Sequence, residues 1–189
     1  MSENLSLCPI CGQKLIAPAG RPSSPILLVG EFPGWKEIQK GTPFCGESGE
    51  VLKGELARVG IDWRYCRMTN LWLHEAPAKP KASPKITPDM LFYQRDRGFN
   101  LEQLVGQMAT AKVILLMGSD VAELLVGKSI SKINGSRVSS PYIPSQATAI
   151  AAYNPAMLLN RDSVVGDFRV ALEIFASVAK PILMEALHG

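Results

Sequence analysis

Two short, unbroken apolar runs, each stopped by a glycine, constrain the fold of this chain more than any other feature. Ile26-Leu27-Leu28-Val29 runs into Gly30, and Val113-Ile114-Leu115-Leu116-Met117 runs into Gly118. A strand covered on both faces reads this way, because neither face meets water. Periodicity alone does not separate such a run from a buried helix, so the segments between the runs matter. Val51, Leu52, Leu56 and Val59 share one helical face that stops at Gly60. Thr87-Pro88-Asp89 reads as a helix start, with threonine as cap and proline in the first turn. Leu101, Leu104, Val105 and Met108 make another helical face after it. Residues 65–73 and 147–153 read as two more strands, and a short helix runs from Gly118-Ser119 through Val126. Asn134-Gly135 marks a tight turn, and residues 164–179 form a last amphipathic helix. Strands alternating with helices predict a three-layer α/β/α domain on a four-stranded, mainly parallel sheet.

That domain is expected over residues 26–189. Residues 1–25 read as an appendage: Cys8-Pro9-Ile10-Cys11-Gly12 is a knuckle turn and Arg21-Pro22-Ser23-Ser24-Pro25 a linker. Four cysteines are too few and too unevenly spaced for a disulfide scaffold, so Cys8-x-x-Cys11 suggests metal or redox chemistry. With 47% hydrophobic and 20% charged residues the chain is no disordered polymer, and no apolar run nears the roughly 20 residues of a membrane span. The N-terminal MSENLSLC carries an acid and no apolar core, unlike a secretory signal, so the cytoplasm is the expected compartment; a monomer is expected as well.

Ligands of such sheets bind beyond the carboxyl ends of the strands, near the point where strand order reverses. The loops starting at Glu31, His74, Ser119 and Asn154 are therefore the candidate site loops. After the first strand the chain reads Gly30-Glu31-Phe32-Pro33-Gly34, then Gly41-Thr42-Pro43-Phe44-Cys45-Gly46 and Ser48-Gly49. No phosphate-binding G-x-x-x-x-G-K-[ST] or G-x-G-x-x-G is present, which argues against nucleotide chemistry of those kinds. Met68-Thr69-Asn70 lies near the end of the second strand, and Asn70 by itself reads as a strand terminus or as a ligand reader. Asn154-Pro155 is a turn, and Met157, Leu158 and Leu159 after it either pack on the core or project as a wedge. A net charge of +3 is modest, but its distribution is not. Between Glu123 and Asp162 there is no acid, while Lys128, Lys132, Arg137 and Arg161 lie there; residues 76–88 likewise carry Lys79, Lys81 and Lys85 without an acid. Such segments are phosphate-facing surfaces or solvated lysine loops.

Taken together and in this order, the motifs resemble the uracil-DNA glycosylase superfamily, most closely its iron–sulfur branch, family 4. That branch reads G-E-x-P-G-x-x-E, G-x-P-F-x-G-x-x-G-x-x-L, T-N and H-P-x-x-L-L. Glu31, Glu37, Gly41, Pro43, Phe44, Gly46, Gly49, Leu52, Thr69 and Asn70 fall at the matching spacings, and Pro155, Leu158, Leu159 and Asp167 continue the match. The resemblance spans about residues 26–175. It implies a base flipped out of DNA and cut from its sugar. Phe44 would stack on the base, Asn70 would read its edge, and Glu31 would orient water and offset cationic charge on the sugar. Gly30, Phe32, Pro33 and Gly34 would line the base site, while Gly118 and Ser119 would hold a phosphate. Pro155, Ala156, Met157, Leu158 and Leu159 would form the wedge, with Lys128, Lys132 and Arg137 on the DNA face.

The chain departs from the branch in three places. Asn154 replaces the histidine, where its amide would still serve catalysis by donating to O2 of the departing base; Phe32 replaces a small residue, and the cluster ligands are incomplete. Cys8 and Cys11 match the first pair and His74 stands where the third cysteine falls, but the fourth position reads Arg95-Asp96-Arg97. Three states stay open: an iron–sulfur cluster, a zinc knuckle using Cys8, Cys11, His74 and a fourth ligand, or two thiols in a turn. None is required for the chemistry. The expected partner is single- or double-stranded DNA with no membrane, and the expected activity is excision of uracil or a related altered pyrimidine. The rival reading is a DNA- or partner-binding module that lost catalysis along with the histidine.

Overall fold

The computed structural model describes residues 7–188; residues 1–6, most of the stretch read against a secretory signal, lie outside them. Six strands form one sheet: β1 (Ala19–Gly20), β2 (Ile26–Gly30), β3 (Arg67–Asn70), β4 (Val113–Met117), β5 (Arg137–Val138) and β6 (Thr148–Ala152), in the order β1-β3-β2-β4-β6-β5. The four longer strands are the four expected, and all pair in parallel. The strand count is corrected from four to six by β1 and β5, which pair antiparallel at the two edges. Two residues carry no readable periodicity, so these edge pieces leave no trace in the pattern.

Every residue of β2 and β4 is buried, as the apolar runs require. The helices α1 (Trp35–Lys40), α2 (Glu47–Arg58), α3 (Pro88–Met108), α4 (Ser119–Val126), α5 (Ile130–Ile133) and α6 (Val165–His188) cover the sheet. Ile26 and Leu28 pack with Leu52 and Leu56 of α2 and Phe168 and Phe175 of α6. Leu27 and Val29 turn the other way, toward Leu104 and Met108 of α3 and Val121 and Leu125 of α4. Each such side chain is worth roughly 1.5–3 kcal/mol when fully buried. Thr87 caps α3 by accepting from the Met90 amide at 3.3 Å. Asn134-Gly135 makes the expected turn, closed by Ser136 N donating to Ile133 O at 2.9 Å with Gly135 at φ 74°. No helix among the described residues is long and apolar enough to cross a membrane.

Three local expectations change. Residues 35–40, expected inside a loop, form α1, because the Glu37 carboxylate accepts from the Gly34 amide and Gly41 closes the helix at φ 66°. The strand expected over 65–73 is paired only over Arg67–Asn70: residues 63–65 form a turn capped by Asp62, and Asn70 leads into a loop. The last helix passes Pro181 instead of stopping at Ala179. Proline removes one helical hydrogen bond at a cost of about 3 kcal/mol, but Leu183 beyond it is buried in the core with Ile182 packed alongside.

Strand order reverses between β2 and β4, which places the switch point there. The register pairs Gly30 with Asn70 and Met117 with Ala152, so the loops after β2, β3, β4 and β6 leave from one edge of the sheet.

Candidate active site

Glu31, the first residue beyond β2, lies at the switch point. Its Oε1 accepts from the Asp120 amide at 2.8 Å, within the first turn of α4, where exposed amides and the helix dipole favour an anion. Its Oε2 accepts from Asn154 Nδ2 at 2.5 Å, a contact across 123 residues of chain. Asn154 is itself held, because its Oδ1 accepts from the Ala156 amide at 2.9 Å and so caps the turn Pro155–Leu159. A primary amide has two N–H bonds, so one remains for a ligand. Gly118 makes this approach possible: a Cβ there would lie 2.3 Å from Glu31 Cδ, and its φ of 107° suits glycine alone.

Beside this pair stands the expected base site. Gly30 has room for no side chain, since a Cβ would meet Asn70 Oδ1 at 2.3 Å and Phe44 Cζ at 2.9 Å. Phe44 and Asn70 therefore converge over Gly30. Both are buried, at 7% and 6% exposure. Phe44 alone among the described non-glycine residues has a positive φ, 56°, a strain of the kind that clusters at functional sites. Gly49 in α2 permits it, because a Cβ there would strike the Phe44 carbonyl at 2.2 Å. Glu37 pins Gly34 and packs against Gly46, tying together the two loops that flank the ring. Pro33 is buried in the same loop, whereas Phe32 is half exposed.

The surrounding surface is mixed. Pro155 is buried, Ala156 and Leu159 are exposed, and Met157 and Leu158 are half-buried, Leu158 packing on the core. Ser119 is exposed next to the buried Gly118. Lys128, Lys132 and Arg137 are exposed and form no ion pair among the described residues. Their segment reaches the site through Asn134, whose Oδ1 accepts from the Tyr153 amide at 3.0 Å. From the other basic loop, Lys79 pairs with Asp120 at 2.5 Å, and that carboxylate raises the pKa of the lysine.

A second cluster lies where the knuckle meets the loop after β3 and the helix α3. Cys8, Cys11, His74 and Asp96 present donor atoms all within 4.8 Å of one another. Asp96, which lies at the fourth cluster position in the sequence, brings a carboxylate to this group that the sequence alone did not single out as a donor. Cys66 and Cys45 are elsewhere: burial in the sheet core pushes the Cys66 thiol up to about 12, and the Cys45 thiol contacts the Lys36 carbonyl. Burial likewise pushes the Cys8 thiol up to about 11. Iron–sulfur clusters take four cysteines, or two cysteines and two histidines. Two thiols, one imidazole and one carboxylate do not fit such a cluster, but they do fit a single metal ion.

This fold and this loop set belong to a known class. Residues 17–175 match the sequence model of the Uracil DNA glycosylase superfamily. The chain belongs to that superfamily, and it is a hydrolytic glycosylase. Three similar proteins carry the name Type-4 uracil-DNA glycosylase. That of Pyrobaculum aerophilum is 23% identical over 180 residues, 92% of this chain and 88% of its own length. That of Archaeoglobus fulgidus is 26% identical, over 75% of this chain and 70% of its own. That of Sulfurisphaera tokodaii is 24% identical, over 74% and 63%. They agree with the family 4 resemblance read from the motifs.

Proposed function

We propose that this enzyme hydrolyses the N-glycosidic bond of uracil, or of a related altered pyrimidine, in DNA. The observation that carries the reading is the Glu31 carboxylate, held between the α4 N-terminus and Asn154, beside the point where Phe44 and Asn70 meet over Gly30. A flipped pyrimidine stacks on Phe44, and the Asn70 amide donates to O4 and accepts from N3–H. As the bond from N1 to C1′ breaks, its electron pair stays on the base and positive charge builds on the sugar. Glu31 offsets that charge and orients the water whose oxygen bonds to C1′. The water's proton passes to the carboxylate or to the departing base. The second N–H of Asn154 donates to O2 of that base, where negative charge gathers.

No cofactor enters these steps. The Met157–Leu159 turn fills the gap left by the extruded base, Gly118 and Ser119 hold a backbone phosphate, and Lys128, Lys132 and Arg137 meet the strand. The enzyme acts as a monomer, and four unpaired thiols suit a reducing cytoplasm. The non-catalytic module finds no support: the chain is a glycosylase, and the asparagine that replaced the histidine is bonded to the catalytic carboxylate. Incubation with uracil-containing single-stranded DNA, followed by alkaline cleavage of abasic sites, tests the reading. Uncut DNA over many enzyme equivalents refutes it.

A further inference from the structure

In the cluster at the knuckle, Cys8, His74 and Asp96 are buried and Cys11 half-buried, and the cluster takes no part in the base chemistry. We propose that Cys8, Cys11, His74 and Asp96 bind one zinc ion, with Asp96 as the fourth ligand, and that this ion locks the loop following Asn70. The assignment is independent of which base the enzyme removes.

Geometry separates one ion from a cluster. Ligands at ~2.0–2.3 Å from a tetrahedral ion stand roughly 3.3–3.8 Å from one another. Cys8 Sγ lies 3.2 Å from Asp96 Oδ1, His74 Nε2 lies 3.2 Å from the same oxygen, and Cys11 Sγ lies 3.7 Å from His74 Nε2. A multi-iron cluster seats its ligands on different irons and needs them further apart. Donor chemistry then selects the ion: two soft sulfurs exclude calcium and magnesium, and mixed sulfur, nitrogen and oxygen donors in fourfold array suit zinc.

The surroundings point the same way. His74 Nδ1 donates to the Glu75 carbonyl at 2.7 Å, which leaves Nε2 with its lone pair, 3.7 Å from Cys11 Sγ and 3.4 Å from Asn100 Nδ2, free to bind a metal. Asp96 is fully buried, and its Oδ2 has no hydrogen-bond partner. A buried carboxylate with no cation is costly, and a zinc ion supplies the missing charge. Four protein ligands leave no open position, so the ion is structural. Its reach is specific. His74 lies four residues past Asn70, and between them Leu73 donates to Asn100 Oδ1 at 2.9 Å and accepts from the Ile16 amide at 2.6 Å. The ion thus joins the knuckle, the Asn70 loop and α3 at one point.

The test uses the full chain, expressed with both zinc and iron supplied and purified without oxygen. Elemental analysis should find about one zinc per chain, with no iron and no acid-labile sulfide, and X-ray absorption should show two sulfur and two nitrogen or oxygen neighbours. Asp96→Asn should weaken zinc binding about tenfold or more, while Cys45→Ser should keep one zinc. Iron with sulfide, a metal-free folded protein, or a zinc shell of four sulfurs or of none overturns the assignment. Undiminished zinc affinity in Asp96→Asn removes Asp96 from it.

Discussion

Replacing Gly118 with alanine should slow base excision by about 10²-fold while leaving the protein folded. Gly118 sits at φ 107° and ψ 169°, a region occupied almost only by glycine, so alanine there costs of order 1–3 kcal/mol in backbone strain. For a domain of this size that lowers the melting temperature by ~2–4 °C per kcal/mol, which is tolerable. The larger effect falls on Glu31. The new Cβ would stand 2.3 Å from its Cδ, 2.5 Å from its Cγ and 2.7 Å from its Oε1. Carbon atoms rest about 3.5–4.0 Å apart, so the carboxylate must retreat by more than 1 Å. It then leaves the Asp120 amide and Asn154 Nδ2, and a shift of about 1 Å in a reacting group is worth about 10² in rate. Single-turnover excision on an end-labelled uracil oligonucleotide reads the effect, with DNA affinity and melting temperature measured in parallel. Glu31→Gln should show a similar loss with binding unchanged, because its neutral amide neither activates water nor offsets sugar charge. Both changes act through one carboxylate, so the double variant should be no slower than Glu31→Gln. A Gly118→Ala rate within threefold of wild type, or losses that multiply in the double variant, refutes the reasoning.

Asn70→Asp should move base preference from uracil toward cytosine, since a carboxylate accepts where the amide donated; an unchanged profile on matched oligonucleotides makes Asn70 a strand terminus only. Asn154→Ala should lower the single-turnover rate by up to ~10²-fold with DNA binding retained, and Asn154→His should raise it, because a stronger donor meets charge on the departing base. Equal rates in all three proteins would remove Asn154 from the chemistry. Gly49→Ala should overpack the seat of Phe44 by about 1–3 kcal/mol. A lower melting temperature together with a raised KM checks it, and an unchanged KM would show that the ring keeps its place.

Much of the scaffold is legible in short-range pattern. β2 and β4 announce themselves as apolar runs because a strand buried on both faces has no polar positions. The start of α3 is written in Thr87 and Pro88, one residue supplying the cap and the other a preset φ. Elements whose stability comes from distant partners are not written this way. β1 and β5 exist through their pairing with β3 and β6, and the turns of α6 beyond Pro181 through the packing of Ile182 and Leu183.

The site divides along the same line. The motifs in their order, through the family they resemble, marked Glu31, Phe44, Asn70 and Asn154; taken one at a time these residues read equally as turns or strand termini. Only the tertiary structure decided that Asn154 donates to Glu31 and that the α4 N-terminus holds the other carboxylate oxygen. It likewise decided that Asp96, 88 residues from Cys8, completes the donor set. Hydrogen bonds and ligand sets depend on distances of a few ångströms between segments far apart in the chain. Hydrophobic periodicity specifies which face of an element is buried; the parallel register, with Gly30 beside Asn70 and Met117 beside Ala152, specifies which atoms meet.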